Sequence, residues 1–150
     1  MQKDKALARK ILTWAAIAAL VYFGNVQLQT WLGHRALANT GLEIHNLEDG
    51  LSLAASTDRL VLADVSAIWC SSCRTFDNKV LADEGVRALI LERYVFVRIE
   101  HESEEGKAFR ERYGVKGFPR LLVLDADGNL VAHLPTVYDA AVFRSSLSGV

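Results

Sequence analysis

Cysteine is scarce in this chain of 150 residues: there are two, Cys70 and Cys73, with two serines between them. That excludes a framework of structural disulfides. It also leaves too few thiolates for a structural zinc site built on cysteine, and the four histidines, at 34, 45, 101 and 133, stand singly. Net charge is small as well, −1 at pH 7, so no global field argues for nucleic acid as a partner. Internal repeats and low-complexity tracts are missing. A content of 51% apolar and 23% charged residues is globular composition. The length suits one domain with a real core plus an appendage.

Charge is also missing from one long stretch. Lys3, Lys5, Arg9 and Lys10 stand against the single acid Asp4, and after them no charge occurs from Ile11 to Gly33. This is the layout of a secretory signal or a signal anchor. The strictly apolar part, Ile11–Gly24, suits the core of a signal peptide. Ile11–Leu32, about 22 residues at about 1.5 Å each, is long enough to cross a hydrocarbon core of about 30 Å. Asn25, Gln27, Gln29 and Thr30 dilute its second half, and the small-x-small sequence Ala36-Leu37-Ala38 lies far beyond the apolar run. We expect residues 1–33 to be an anchor that is retained, or a signal peptide if cleaved. Residues 34–45 are expected to be a linker and lead-in, with a short strand at Leu42–His45, and residues 46–150 the folded domain. Basic residues before the run keep the N-terminus in the cytoplasm, so the domain faces the periplasm or the outside.

Within 46–150 the apolar periods alternate between helix and strand. Asn46 can cap a helix with Leu47, Leu51 and Ala55 on one face. Leu60–Val65 has the pattern of a buried central strand. A helix should run from the cysteine motif to about Ala82, with Phe76 and Val80 inward. Asp83 can cap another that turns Val86, Leu89 and Ile90 inward. Tyr94–Ile99 reads as a strand and Ser103–Tyr113 as a helix stopped by Gly114. Leu121–Asp125 and Asn129–Leu134 flank the hairpin signal Ala126-Asp127-Gly128. Val137–Leu147 closes the chain as a helix with Val142, Phe143 and Leu147 inward. Helices separated by buried strands, with a final antiparallel pair, imply an α/β sandwich with a mixed sheet.

The cysteine spacing then carries chemistry. Cys70 falls at the first turn of a helix after a central strand, where free N–H groups and the helix dipole favour thiolate over thiol. In such sites a thiol pKa falls from about 8.5 to roughly 3.5–7.5. Cys73 lies one turn on, on the same face. Cys70 is expected to attack a substrate disulfide and Cys73 to resolve the mixed disulfide. Trp69 would pack beside the pair and limit solvent access. Attachment of c-type haem needs His after the second cysteine, where this chain has Arg74. No cofactor and no metal are called for.

Three stretches together resemble the thioredoxin superfamily: Val61–Cys73, with Trp69-Cys70-Ser71-Ser72-Cys73; Arg112–Pro119; and Leu121–Asp125 with Asp127-Gly128. Cys73–Asp77 leading to Leu81-Ala82-Asp83 and Val86 is most similar to the periplasmic C-terminal domain of DsbD-type transmembrane reductases. The resemblance covers about residues 45–148. It implies a thioredoxin-like three-layer sandwich with a mixed central sheet, here preceded by a membrane anchor helix. It also implies a membrane-tethered thiol–disulfide oxidoreductase, a reductase of exported protein disulfides, in a bacterial inner membrane. Oxidase or isomerase activity, or a non-catalytic redox-sensing role, is the alternative. The implied partners are protein disulfides or dithiols and a membrane electron donor.

The resemblance also assigns roles. Asp64, six residues before Cys70, matches a buried acid whose pKa should rise by desolvation and which could shuttle a proton to or from Cys73. Pro119 matches a cis proline facing the disulfide, which would leave the Phe118 backbone open to an extended substrate strand. Departures are Ser71-Ser72 between the cysteines, Arg120 after the proline, and Thr136 where many members have glycine.

Overall fold

In a computed structural model, residues 2–150 are described, with side chains from Leu7 onward except Ala8. The side chains of Lys3, Asp4 and Lys5, part of the basic flank, lie outside the described residues. The order is α1 (Gln2–Asn39), α2 (Leu47–Thr57), β1 (Leu60–Ser66), α3 (Ser71–Phe76), α4 (Glu84–Arg93), β2 (Tyr94–Glu100), α5 (Glu104–Tyr113), β3 (Arg120–Leu124), β4 (Leu130–Leu134) and α6 (Ala140–Ser148). A wide helical turn, Asp77–Leu81, continues α3.

The four strands form one mixed sheet in the order β2-β1-β3-β4. β1 runs parallel to β2 and antiparallel to β3. Strand alternation sends Val61, Ala63 and Val65 to one face, where they pack with Ala54, Val97, Phe109 and Leu122 under α2 and α5. It sends Leu62 to the other, with Phe76, Val80, Val86, Ile90, Phe96 and Phe143 beneath α3, α4 and α6. The result is helices over both faces of the sheet, the expected sandwich.

Asn46 and Asp83 cap helices as expected, Ser103 caps the helix it was expected to begin, and α6 starts at Ala140 behind an Asp139 cap, three residues later than expected. Asn46, Asp83, Ser103 and Asp139 each accept a backbone N–H from their own first turn. Two inward faces differ from the periodic reading. In α2 the buried residues are Gly50 and Ala54, while Ala55 is exposed. A Cβ on Gly50 would collide with Val97, so glycine permits the close seating of α2 on β2. In α6 Phe143 and Leu147 are buried, but Val142 is exposed, because neighbours on a helix point about 100° apart and this face holds one of them.

The largest departure concerns the N-terminal segment. Residues 34–45, expected as a linker, remain helical to Asn39, and Ala36, Thr40 and Leu42 are buried. His45 then bridges to Val97 of β2. Apolar contact and backbone pairing hold a stretch that polar composition alone makes look free.

Candidate active site

Cys70 caps α3. Its Sγ accepts the Cys73 N–H at 3.2 Å, and the Ser72 hydroxyl lies 3.0 Å from the same sulfur. The two cysteines form a disulfide with Cα atoms 5.3 Å apart. Cys70 is 6% exposed and Cys73 1%, so the first residue of the pair is the one nearer solvent. The turn before them is tied down from three sides. Cys70 N–H donates to the Ala67 carbonyl, Arg74 donates to the Trp69 carbonyl, and the Ile68 N–H donates to Glu100 Oε1. Burial, then the charge of Glu102, pushes the Glu100 carboxyl above its ordinary range, against the Ile68 N–H and the charges of Arg98 and His34.

Aromatic side chains stand over the pair. Trp69 is 44% exposed, donates from Nε1 to Glu102, and meets Phe118 edge to face at 5.6 Å. Phe118 packs against Ala67, Cys70 and Cys73, and the His101 ring lies 4.3 Å from its centroid. The Phe118–Pro119 peptide bond is cis. Thr136 donates to the Pro119 carbonyl at 3.1 Å, so the threonine that departs from glycine braces the start of β3.

On the α3 side of the sheet lies a charged cluster. Asp64 lies two residues after Leu62 on the α3 face of β1, and parallel register sets Arg98 beside it. Arg98 Nη1 donates to Asp64 Oδ2 at 2.7 Å and to Asp77 Oδ1 at 2.9 Å. Its Nη2 donates to Asp77 Oδ2 at 3.2 Å. Both carboxylates are 1% exposed. Asp64 Oδ1 has no hydrogen-bond partner among the described residues. Burial pushes the Asp64 carboxyl up to about 6. The Asp77 and Glu100 charges add to the rise, and the Arg98 charge opposes it. Burial opposes the charge of Arg98, but the two carboxylates outweigh it and hold its guanidinium above the ordinary range.

Cys70, Cys73, Trp69 and Phe118 meet at this turn, with the cis Pro119 next to Phe118, whereas Asp64 lies in the buried cluster with Arg98 and Asp77. Arg98, Asp77, Glu100, Glu102 and Thr136 join them without having been assigned. Asp77 carried a usable signal: it falls seven residues after Cys70, two helical turns on and on the same face.

A helix-capping dithiol behind a central strand, with a proline-led strand facing it, is the working architecture of thiol–disulfide oxidoreductases. The sequence profile of the thioredoxin-like family matches residues 43–126, more than half the chain, and the chain belongs to that family. It is 27% identical over 123 residues to the thiol:disulfide interchange protein DsbD of Yersinia enterocolitica, a match over 81% of this chain and 20% of that protein. A thioredoxin from Thermus thermophilus superposes with a TM-score of 0.66 at 26% identity, over 72% of this chain and 85% of the other. The C-terminal domain of Neisseria meningitidis DsbD shares the fold, with a TM-score of 0.55 at 24% identity over 66% of this chain and 87% of that one. The chain spans about a fifth of the length of the curated DsbD relative.

Proposed function

We propose that this chain is a membrane-tethered reductase of disulfides in exported proteins, with its redox domain on the periplasmic side of a bacterial inner membrane. The carrying observation is the Cys70–Cys73 pair at the start of α3, with the first sulfur nearer solvent. The Cys70 thiolate attacks one sulfur of a substrate disulfide, and the other sulfur leaves as a thiolate that takes up a proton. The Cys73 thiolate then attacks Cys70 Sγ, freeing the second substrate thiol and closing the Cys70–Cys73 disulfide. Two electrons pass to the substrate, and a membrane-borne dithiol donor returns the pair to the reduced state.

Asp64 serves as the base that accepts the Cys73 proton. Trp69, Phe118 and Pro119 hold an extended substrate segment across the sulfur pair. Oxidised periplasmic proteins, apocytochrome c among them, are candidate substrates. The direction is supported by the similarity to DsbD. Tethering is supported by α1, whose Arg9–Asn39 portion holds an 18-residue window of mean hydropathy 1.6 and meets the length and composition of a membrane span.

Two measurements test this. The reduced chain should precipitate insulin by reducing its disulfides, and its potential should lie nearer about −270 mV than about −120 mV. A value near −120 mV would make the chain an oxidase, and absent turnover would make it a redox sensor. A periplasm-dependent reporter fused after Val150 should be active and sediment with membranes. An inactive reporter would refute the orientation, and a soluble active one the tether.

A further inference from the structure

The reading of α1 as an anchor is the basis for a further step. A flexible linker after the anchor would let the redox domain swing freely, but α1 is seated on that domain. Gly33, Ala36 and Thr40 fall on one buried stripe, with Gln29 and Leu37 half-buried beside it. A methyl group on Gly33 would collide with the Ile68 carbonyl, so the helix backbone lies directly against the turn that carries Trp69 and Cys70. Asn39 at the helix end donates to Asn78 at 3.0 Å, just after α3. The Thr40 hydroxyl closes the last turn on the Leu37 carbonyl and accepts the Leu42 N–H, which passes the chain into the domain core without slack.

Towards the apolar run, a recess of about 530 Å³ opens between α1 and the redox site. Tyr22, Asn25, Val26 and Gln29 form one wall, Trp69 and Glu102 the other. Tyr22 to Gln29 is about 10 Å of helix. The uninterrupted apolar run ends at Gly24, inside that interval. A span of about 20 residues from Ile11 ends near Thr30, so Tyr22 to Gln29 form its last turns and the Trp69 rim stands at the interfacial level where an anchored helix leaves the hydrocarbon. Tyr22 and Trp69, each with an apolar ring and a polar tip, suit that level.

We propose that α1 is a rigid post that holds the Cys70–Cys73 pair at the extracytoplasmic surface of the membrane. The substrate disulfide is one carried at the membrane-proximal end of another membrane-anchored protein. Such a segment enters through the recess between α1 and Trp69, where the Asn25 and Gln29 amides and the Glu102 carboxylate can meet peptide N–H and C=O groups. A partner confined to the same surface gains effective concentration at this site. A soluble globular substrate gains none and meets a rim partly blocked by lipid.

The test uses the full chain in phospholipid vesicles, reduced with dithiothreitol, freed of excess reagent and followed through a single turnover. A flexible Gly/Ser insert of about 16 residues between Leu28 and Gln29 leaves the span from Ile11 and the seat of α1 intact but frees the domain to rise by about 20–24 Å. Two substrates are compared: a single-span peptide with a disulfide-closed cysteine pair just outside its membrane segment, and soluble insulin. The parent chain should reduce the peptide at least about 10-fold faster than the insertion variant, while reducing insulin no faster than the variant does. Equal peptide rates would overturn the post. A parent chain that reduces insulin but shows no advantage on the peptide would also overturn it, leaving the reductase reading intact. A parent chain that reduces neither would remove both.

Discussion

Replacing Asp64 with asparagine separates the charge of this residue from its shape. The asparagine side chain keeps an oxygen for the 2.7 Å bond from Arg98 but carries no charge at any pH. In the native chain the Asp64 pKa rises from 3.8 to about 6 on folding. A rise of about two units, at about 1.4 kcal/mol per unit, corresponds to about 3 kcal/mol. Proton uptake sets the sign. Between about pH 4 and pH 6 the folded chain holds a proton that the unfolded chain has lost, so stability falls as pH rises through that window and stays low above it. The Asp64→Asn variant lacks this loss. It should gain on the parent by up to about 3 kcal/mol between pH 4 and pH 8, less whatever the weakened Arg98 contact costs. Urea unfolding of the oxidised chain in detergent, monitored by tryptophan fluorescence across that range, reads the difference directly. The same variant should slow resolution by Cys73 more than the first attack by Cys70, measured by stopped flow on a model disulfide. A stability difference that does not change with pH would refute the buried-charge account, and an unchanged pH–rate profile would return Asp64 to a structural role.

Cys70→Ala should abolish disulfide reduction, whereas Cys73→Ala should accumulate dithiothreitol-sensitive mixed disulfides. Limiting iodoacetamide near pH 6 should label Cys70 first, and equal or inverted labelling would overturn the roles. Arg98→Met leaves two buried carboxylates without their shared cation and should destabilise the fold by about 3–5 kcal/mol at pH 8, less at pH 4 once a carboxylate is protonated. Urea unfolding at both pH values checks it, and a loss of under about 1 kcal/mol at pH 8 would show that the cluster is solvated.

The sheet and most helices were legible in the sequence because their signals are local. Asp83 and Ser103 cap helices through atoms two to three residues away, and Gly114 stops one in place. Cys70 was legible from its place at a helix start after a buried strand, whereas Asp64 was marked only by the family resemblance. Arg98 was not legible, since its role depends on β1 and β2 pairing in a register that puts residues 64 and 98 side by side. Glu100 and Glu102 were hidden for the same reason. The seat of α1 was missed because its inward stripe contains glycine, alanine and threonine, small residues that add little to a hydrophobic period. Their value lies in how closely they let two backbones approach.

The wide turn after α3 sets a constraint on length. The Ala82 N–H reaches back five residues to the Asp77 carbonyl, so this turn holds one residue more than an α-helix would. The extra residue allows two consecutive pairs, Phe76 with Asp77 and Val80 with Leu81, all to be buried. Deleting one residue between Asp77 and Ala82 would relax the turn to ordinary helix and rotate α4 against α3 by about 100°. Either Asp77 would leave Arg98 or α4 would leave its bed on the sheet. The interval from Cys70 to Asp83 is therefore indel-intolerant, although Lys79 within it is exposed and free to vary in side chain.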